Sequence, residues 1–425
     1  MKGYTMKKTT RKLFAVLSAL LALCMFLSLA ACGDEGSGDT TTAAATTAGT
    51  KTTKATTTEK TVEPVARPIE LTVEDGKAAN GFKWKLVDGE VQITAYSGKD
   101  KDTVVPDKIN GNPVTSIAKG AFKGATFKTI DLPESLTSIA DTAFKASSIK
   151  EIVIPNNVKT IGANAFTDCG YLTSIVIGDS VEKLGKEVFF NCSGLTKITI
   201  GKKLATLGEG VFHGTSALEE FEVADGCENF SVKDGVLYSK DQKILYLAPR
   251  NTADEFTVPS GVTELGQYAF AYCGDLTNVV MPDTLTTIGM WAFTSCGKLT
   301  DVVMPDSVTT VGQSIFRDCG EITSVHISKN LKQISTYCFA GCGKMESAEV
   351  TGEATTIIQA YGFWNCGGLK EITLGKQIKT LGNGTFDGCG ALAEIKYQGT
   401  QAEWDEVEIK GTGTIPSATK IVPNS

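Results

Sequence analysis

The sequence predicts a mainly β solenoid, and three observations carry that prediction. First, eleven phenylalanines recur almost evenly: Phe122, Phe144, Phe166, Phe189, Phe212, Phe270, Phe293, Phe316, Phe339, Phe363 and Phe386. Their spacings are 22, 22, 23, 23, 58, 23, 23, 23, 24 and 23 residues. A unit in the low twenties cannot bury its apolar side alone and must stack on its neighbours. Second, each unit opens with alternating apolar and polar residues, the pattern of a half-buried strand. Third, a proline or glycine corner returns at the same offset in most units. Length alone, 425 residues, suggests two or three domains. The repeat replaces that count with one elongated body of about eleven rungs of 22–24 residues.

Residues 1–31 read as an export signal. Lys2, Lys7, Lys8, Arg11 and Lys12 form a basic start, and an uncharged run from Leu13 to Ala31 follows. That run nearly reaches the ~20 residues of a membrane span, so an uncleaved anchor is the competing reading. The end of the run, Leu29-Ala30-Ala31-Cys32, decides between them, because small residues there suit a processing peptidase. The tetrapeptide resembles the lipobox of bacterial lipoproteins. The resemblance implies that Cys32 is lipidated, becomes the mature amino terminus and holds the protein on the extracellular face of the bacterial plasma membrane. Residues 32–63 are rich in threonine and alanine with a few lysines. Such a segment buries too little apolar surface to offset chain entropy, and it reads as a disordered tether.

Residues 64–112 read as an N-terminal cap, with a hairpin over residues 82–99 covering the first rung. A first repeat array, 113–225, and a second, 260–396, flank a segment at 226–259. Two consecutive units of the second array show the pattern: LTNVVMPDTLTTIGMWAFTSCGK and LTDVVMPDSVTTVGQSIFRDCGE. Leu276, Val279 and Met281 face inward and Val280 faces outward by two-residue alternation. Pro282-Asp283 turns the chain, Leu285 to Ile288 forms a second extended piece, and Gly289 permits a sharp corner. Ala292-Phe293 then enters the core, and Cys296-Gly297 returns the chain to the next strand. The 58-residue interval between Phe212 and Phe270 contains NFSVKDGVLYSKDQKILYLAP, read as two strands joined at Ser239–Lys243 in an inserted β-hairpin. Residues 397–425 form the C-terminal cap and tail, with Trp404 over the last rung.

This cycle of a leucine strand, a Pro turn, a Val/Leu-x-x-Ile-Gly strand and an Ala-Phe-x-x-Cys corner resembles the BspA-type leucine-rich repeats of bacterial surface proteins, over residues 104–408. The resemblance implies a curved solenoid, and it implies adhesion to host proteins, other cells or surface polymers. Departures are local. Ile315, Cys338, Gly362 and Thr385 replace the Ala before Phe, and the units at Ile334-Ser335 and Ile357-Ile358 lack the corner glycine. Related repeat proteins carry segments like 226–259, which favours a structural spacer there over a binding finger.

The chemistry-bearing residues argue against an enzyme. Of 12 cysteines, eight follow a register Phe by three residues: Cys169, Cys192, Cys273, Cys296, Cys319, Cys342, Cys366 and Cys389. Ala125, Ser147 or Thr215 fills that slot elsewhere, so it asks for a small core side chain and predicts free buried thiols. One thiol per rung makes a ladder, not a tetrahedral metal site. His213 and His326 are the only histidines, and no nucleophile elbow, P-loop or dinucleotide fingerprint appears. Removing the five signal cations leaves 36 basic against 48 acidic residues, a net −12 that is no footprint for nucleic acid. The reading is therefore a monomeric binding protein without cofactor or metal, whose partner is an extracellular protein or glycan. A polysaccharide-capturing lipoprotein and a structural envelope spacer are the alternatives.

Two columns of residues are candidate contact surfaces. The outward residue of each opening strand gives an apolar patch, Val153 and Val176 in the first array, Val280 and Val303 in the second. β-branched residues also simply suit strands. The position two residues before each register Phe reads Gly120, Thr142, Asn164, Glu187 and Gly210, then Tyr268, Trp291, Ser314, Tyr337, Tyr361 and Gly384. Tyr268, Trp291, Tyr337 and Tyr361, with Trp364 and Tyr272 nearby, form a candidate binding stripe of flat rings suited to sugars or extended peptides. Packing against adjacent corners is the competing reading, and exposure of the rings decides between them.

Overall fold

The computed structural model describes residues 70–72, 80–411 and 414–424. The export signal, Cys32 and the tether lie outside the described residues. Each rung contributes an opening strand and a short second strand, and each set stacks into parallel ladders. Asp301–Val303, for instance, pairs with Ser324–His326 in the register Asp301↔Ser324, Val302↔Val325, Val303↔His326. The second strands Thr287–Ile288 and Thr310–Val311 pair in parallel likewise. Among the described residues one helix occurs, Gln401–Asp405, begun by a capping box between Thr400 and Glu403. Its Trp404 is buried against Tyr397, with ring centroids 5.2 Å apart. At the other end Phe82–Val87 and Glu90–Tyr96 form an antiparallel hairpin, and the Tyr96 ring lies 5.6 Å from Phe122.

The register phenylalanines form the spine of the core. Phe122 and Phe144 stack at 5.0 Å and 4°, Phe270 and Phe293 at 5.2 Å and 1°, and the series runs on to Phe386. All ten described cysteines are free and buried. The slot three residues after the register Phe has a reason beyond size: in seven of its eight cysteines the thiol points at the carbonyl of the Phe one rung earlier. Cys273, beside the insertion, points at Pro249 O instead. Cys296 Sγ donates to Phe270 O at 3.0 Å, and Cys319 Sγ to Phe293 O at 3.0 Å. A small apolar residue would leave that buried carbonyl with less company. Burial also pushes the Cys338 thiol up to about 12, so it stays protonated and inert.

The corner glycines act through contact and not through an unusual backbone. Gly289 has no positive φ, but a Cβ there would lie 2.7 Å from the carbonyl carbon of Gly266 in the preceding rung. The missing side chain lets two rungs approach closely. Left-handed backbone sits elsewhere, at two positions of every Phe corner. Tyr268, Trp291, Ser314, Tyr337 and Tyr361 have φ of 54–61°, and Gly120, Gly210 and Gly384 hold the same place in other rungs. The aromatic column is therefore the left-handed position of a turn that glycine would fill most easily, at a cost of roughly 1–2 kcal/mol for each side chain it carries.

The ladders break twice. The first break is the insertion, which holds three strands where the sequence suggested two: Phe230–Lys233, Val236–Ser239 and Ile244–Leu247. The extra turn is Asp234-Gly235, both at positive φ, a tight hairpin signal passed over inside the longer run. The last of these strands rejoins the repeat, pairing Ile244↔Glu264 and Leu245↔Leu265 in parallel. The second break falls between Thr310–Val311, which ends one second-strand sheet, and Gln333–Ile334, which begins the next.

Candidate binding surfaces

On the opening-strand face, parallel register sets the valines side by side. Val153 pairs directly with Val176, and they are 62% and 38% exposed. Val280 and Val303 are exposed on neighbouring strands, and His326 follows Val303 in the next. Beyond the first pair the face becomes charged, with one cation bridging two carboxylates: Lys197 Nζ lies 2.8 Å from Glu220 and 2.7 Å from Glu222. Its ammonium holds the Glu222 carboxyl below the ordinary range. The valine pairs are thus uncharged islands on an otherwise polar face.

The corner column divides into two clusters. Tyr268 is 1% exposed and so is not part of an open stripe, a correction to its place in the candidate column. It lies beside the insertion, stacked with Trp291 at 5.2 Å and His213 at 5.0 Å. Tyr337 and Tyr361 form the second cluster, stacked at 4.9 Å and 7°. The Arg317 guanidinium lies 5.4 Å from the Tyr337 ring centre. Tyr361 packs on Gly384, where a Cβ would come within 2.4 Å of its Cε1. Ring faces in this cluster are covered by their neighbours, and the half-buried rings are left to offer their edges. Trp364 is the exception, set at 90° to Tyr337 and 37% exposed.

Phe190, His213 and Arg317 were missed in the sequence because they stand one residue after a register Phe, not two before it. The two positions interleave across the turn, as the Asn164 Nδ2 to Thr167 Oγ1 bond at 3.1 Å shows. Reading both columns together would have found them. Burial holds the His213 imidazole below its usual range, with Glu187 opposing and Arg317 adding to the effect. The folded state then binds this proton less readily than the unfolded chain. The contribution is present above the unfolded value of about 6.5 and lost as pH falls through the folded one. Thermal unfolding should therefore shift down between neutral pH and about pH 5, and His213→Phe should flatten that shift. An unchanged slope in the variant would assign the acid sensitivity to other groups.

Among the described residues no group of three or more His, Cys, Asp or Glu side chains is arranged to hold a metal ion. No described helix is long and apolar enough to cross a membrane.

Comparison with known proteins agrees with this architecture. A family model described as BspA type leucine rich repeat region matches in six copies, over residues 115–234, 250–359 and 344–407. No curated protein matches the chain. Among solved structures, a leucine rich cell surface protein from Faecalibacterium prausnitzii is similar at 22% identity and a TM-score of 0.53, covering 78% of this chain and 97% of that one. The pneumococcal vaccine antigen PcpA is similar at 20% identity and a TM-score of 0.55, covering 82% of this chain and 98% of that one. At these identities the likeness concerns the fold.

Proposed function

The chain belongs to the BspA-type leucine-rich repeat family, and from that premise we propose that it is a lipid-tethered adhesion protein of the bacterial surface. Its partner is an extracellular protein, cell or surface polymer. The observation that carries this reading is the opening-strand face, where Val153 with Val176, and Val280 with Val303, expose apolar pairs among polar neighbours. Uncharged patches on a solvated face are where a partner gains most from excluding water. The pairs also sit on ladders of parallel strands, so a partner meets a surface that is already ordered.

The test is adhesion by cells displaying the full chain, on immobilised matrix proteins, other cells and glycans. Val303→Lys should weaken retention by roughly tenfold or more if the residue lies at a hot spot. The fold should survive, because Lys396 occupies the same column in a later rung. Retention equal to the parent on every surface would remove the strand face from the reading.

Tethering is tested separately. Only a thiol carries the thioether lipid, so Cys32→Ser should leave an unlipidated precursor. Fatty-acid labelling that persists in the variant would end the lipoprotein assignment.

The polysaccharide-capturing alternative keeps one specific support. Trp364 offers the single large ring of the candidate stripe that is exposed beyond a third of its surface.

A further inference from the structure

The second break in the ladders coincides with the two rungs whose corner slot carries a polar side chain in place of glycine or alanine. In the glycine rungs on either side that slot has no room for a side chain: a Cβ on Gly312 would lie 2.3 Å from Met290 N, and one on Gly382 would lie 2.3 Å from Ala360 N. Ser335 and Gln359 fill the slot in the two exceptional rungs. The second-strand sheet stops at Val311 and restarts at Gln333 in the same place. A groove of about 270 Å³ opens there.

Its lining has an unusual chemistry for this chain. Gln313, Gln333 and Gln359 bring three carboxamides, Ser335 and Thr336 bring hydroxyls, and Met290 brings a thioether. No charged side chain lines the groove, although 21% of the residues are charged. Gln359 Nε2 donates to Gln333 Oε1 at 3.0 Å, and Ser335 Oγ donates to Gly312 O. Among the described residues, Gln333 Nε2 and Gln359 Oε1 make no bond within the protein, so a donor and an acceptor stand ready together. Met290, Gln313 and Thr336 hold the same position on three successive rungs, so the groove crosses rungs and does not end within one.

We propose that this groove binds a neutral glycan chain. Carboxamides and hydroxyls can both give and accept hydrogen bonds, which matches the hydroxyl rim of a sugar. The Met290 thioether and the Val311 side chain beside them offer apolar surface to its C–H face. The absence of cations disfavours sulfated or uronic acid polymers, which need charge neutralisation. The inference rests on the binding reading above for the protein as a whole and assigns it a ligand class, but it does not use the opening-strand face.

The experiment titrates the full chain by calorimetry with cellohexaose, maltohexaose and chitohexaose, with a heparin oligosaccharide and an uncharged threonine-rich peptide as controls. A neutral hexasaccharide should bind, and the double variants Gln313→Ala with Gln359→Ala, and Ser335→Gly with Gln359→Gly, should each weaken it by about tenfold or more. The glycine pair restores the sequence of ordinary rungs, so its melting should match or exceed the parent's and loss of binding is not loss of fold. Val303→Lys should leave oligosaccharide binding unchanged. The proposal is overturned if none of the three sugars binds, if both double variants bind like the parent, or if only heparin or the peptide binds. Adhesion by a parent chain that binds none of the three sugars would sink the groove and leave the adhesion reading standing.

Discussion

Replacing Phe293 by alanine should cost about 3–5 kcal/mol, the range for emptying a buried aromatic slot. The ring is fully buried between Phe270 at 5.2 Å and Phe316 at 5.1 Å, nearly parallel to both. Its removal takes a stacking partner from each neighbour as well as its own contacts. Collapse around the gap is restricted, because Phe293 N donates to Ile315 O at 2.8 Å and Phe270 N to Ala292 O at 2.7 Å. These bonds fix the spacing of the corners whether or not the ring is present. In a stack where each rung touches only its neighbours, the damage should start at the rungs of Phe270 and Phe316 and spread outward. Urea unfolding followed by amide exchange reads both the size and the place of the loss. A variant that unfolds like the parent, with protection unchanged at Phe270 and Phe316, would show that the phenylalanine spine does not hold the rungs together.

The phenylalanine period, and with it the solenoid, was legible because one buried ring per rung must repeat at the rung's own length. Register followed from the same count: the columns drawn by aligning Val153 with Val176, and Val303 with His326, are true cross-strand neighbours. The reasons behind individual residues were less legible. Gly289 reads as a residue of conformational freedom, yet what excludes a side chain there is the backbone of another rung, which no local pattern reports. Tyr268 shares its column with Trp291, Tyr337 and Tyr361, yet it alone is fully buried, because it borders the insertion and His213 from an earlier rung lies against it. The groove at Ser335 was visible only as a serine and a glutamine in a slot that otherwise holds glycine or alanine. Its polar lining depends on which side chains of three rungs meet, and that is a property of the stack.

Arg250 is the residue on which the junction of the two arrays turns. It is 5% exposed, and among the described residues it forms no ion pair with a carboxylate. Its backbone N–H donates to Leu218 O at 2.9 Å, and Nε donates to Thr215 O at 3.4 Å, both in the last rung before the insertion. Nη1 donates to Tyr268 O at 2.9 Å in the first rung after it, and the guanidinium lies 5.9 Å from the Tyr272 ring centre. Burial pulls the guanidinium below its usual range, so the site already bears a desolvation cost that only these contacts offset. Arg250→Ala relieves that cost but leaves two buried carbonyls short of a donor and opens a void between rungs that the phenylalanine spine does not bridge. Each carbonyl keeps a backbone donor, Leu218 N to Thr215 O at 3.3 Å and Ala271 N to Tyr268 O at 3.1 Å. The loss is therefore that of two charge-assisted bonds and of packing, less the relief, and a net of about 1–3 kcal/mol is expected. Because the contacts join one array to the other, the loss should fall on their coupling. Calorimetry should then resolve two transitions in the variant where the parent shows one, with Phe122 to Phe212 and Phe270 to Phe386 melting apart. Arg250→Lys should not rescue it, since a single ammonium cannot reproduce the fork that reaches both carbonyls. A single transition at the parent's temperature in the alanine variant would show that the strands of the insertion, and not this guanidinium, bind the arrays together.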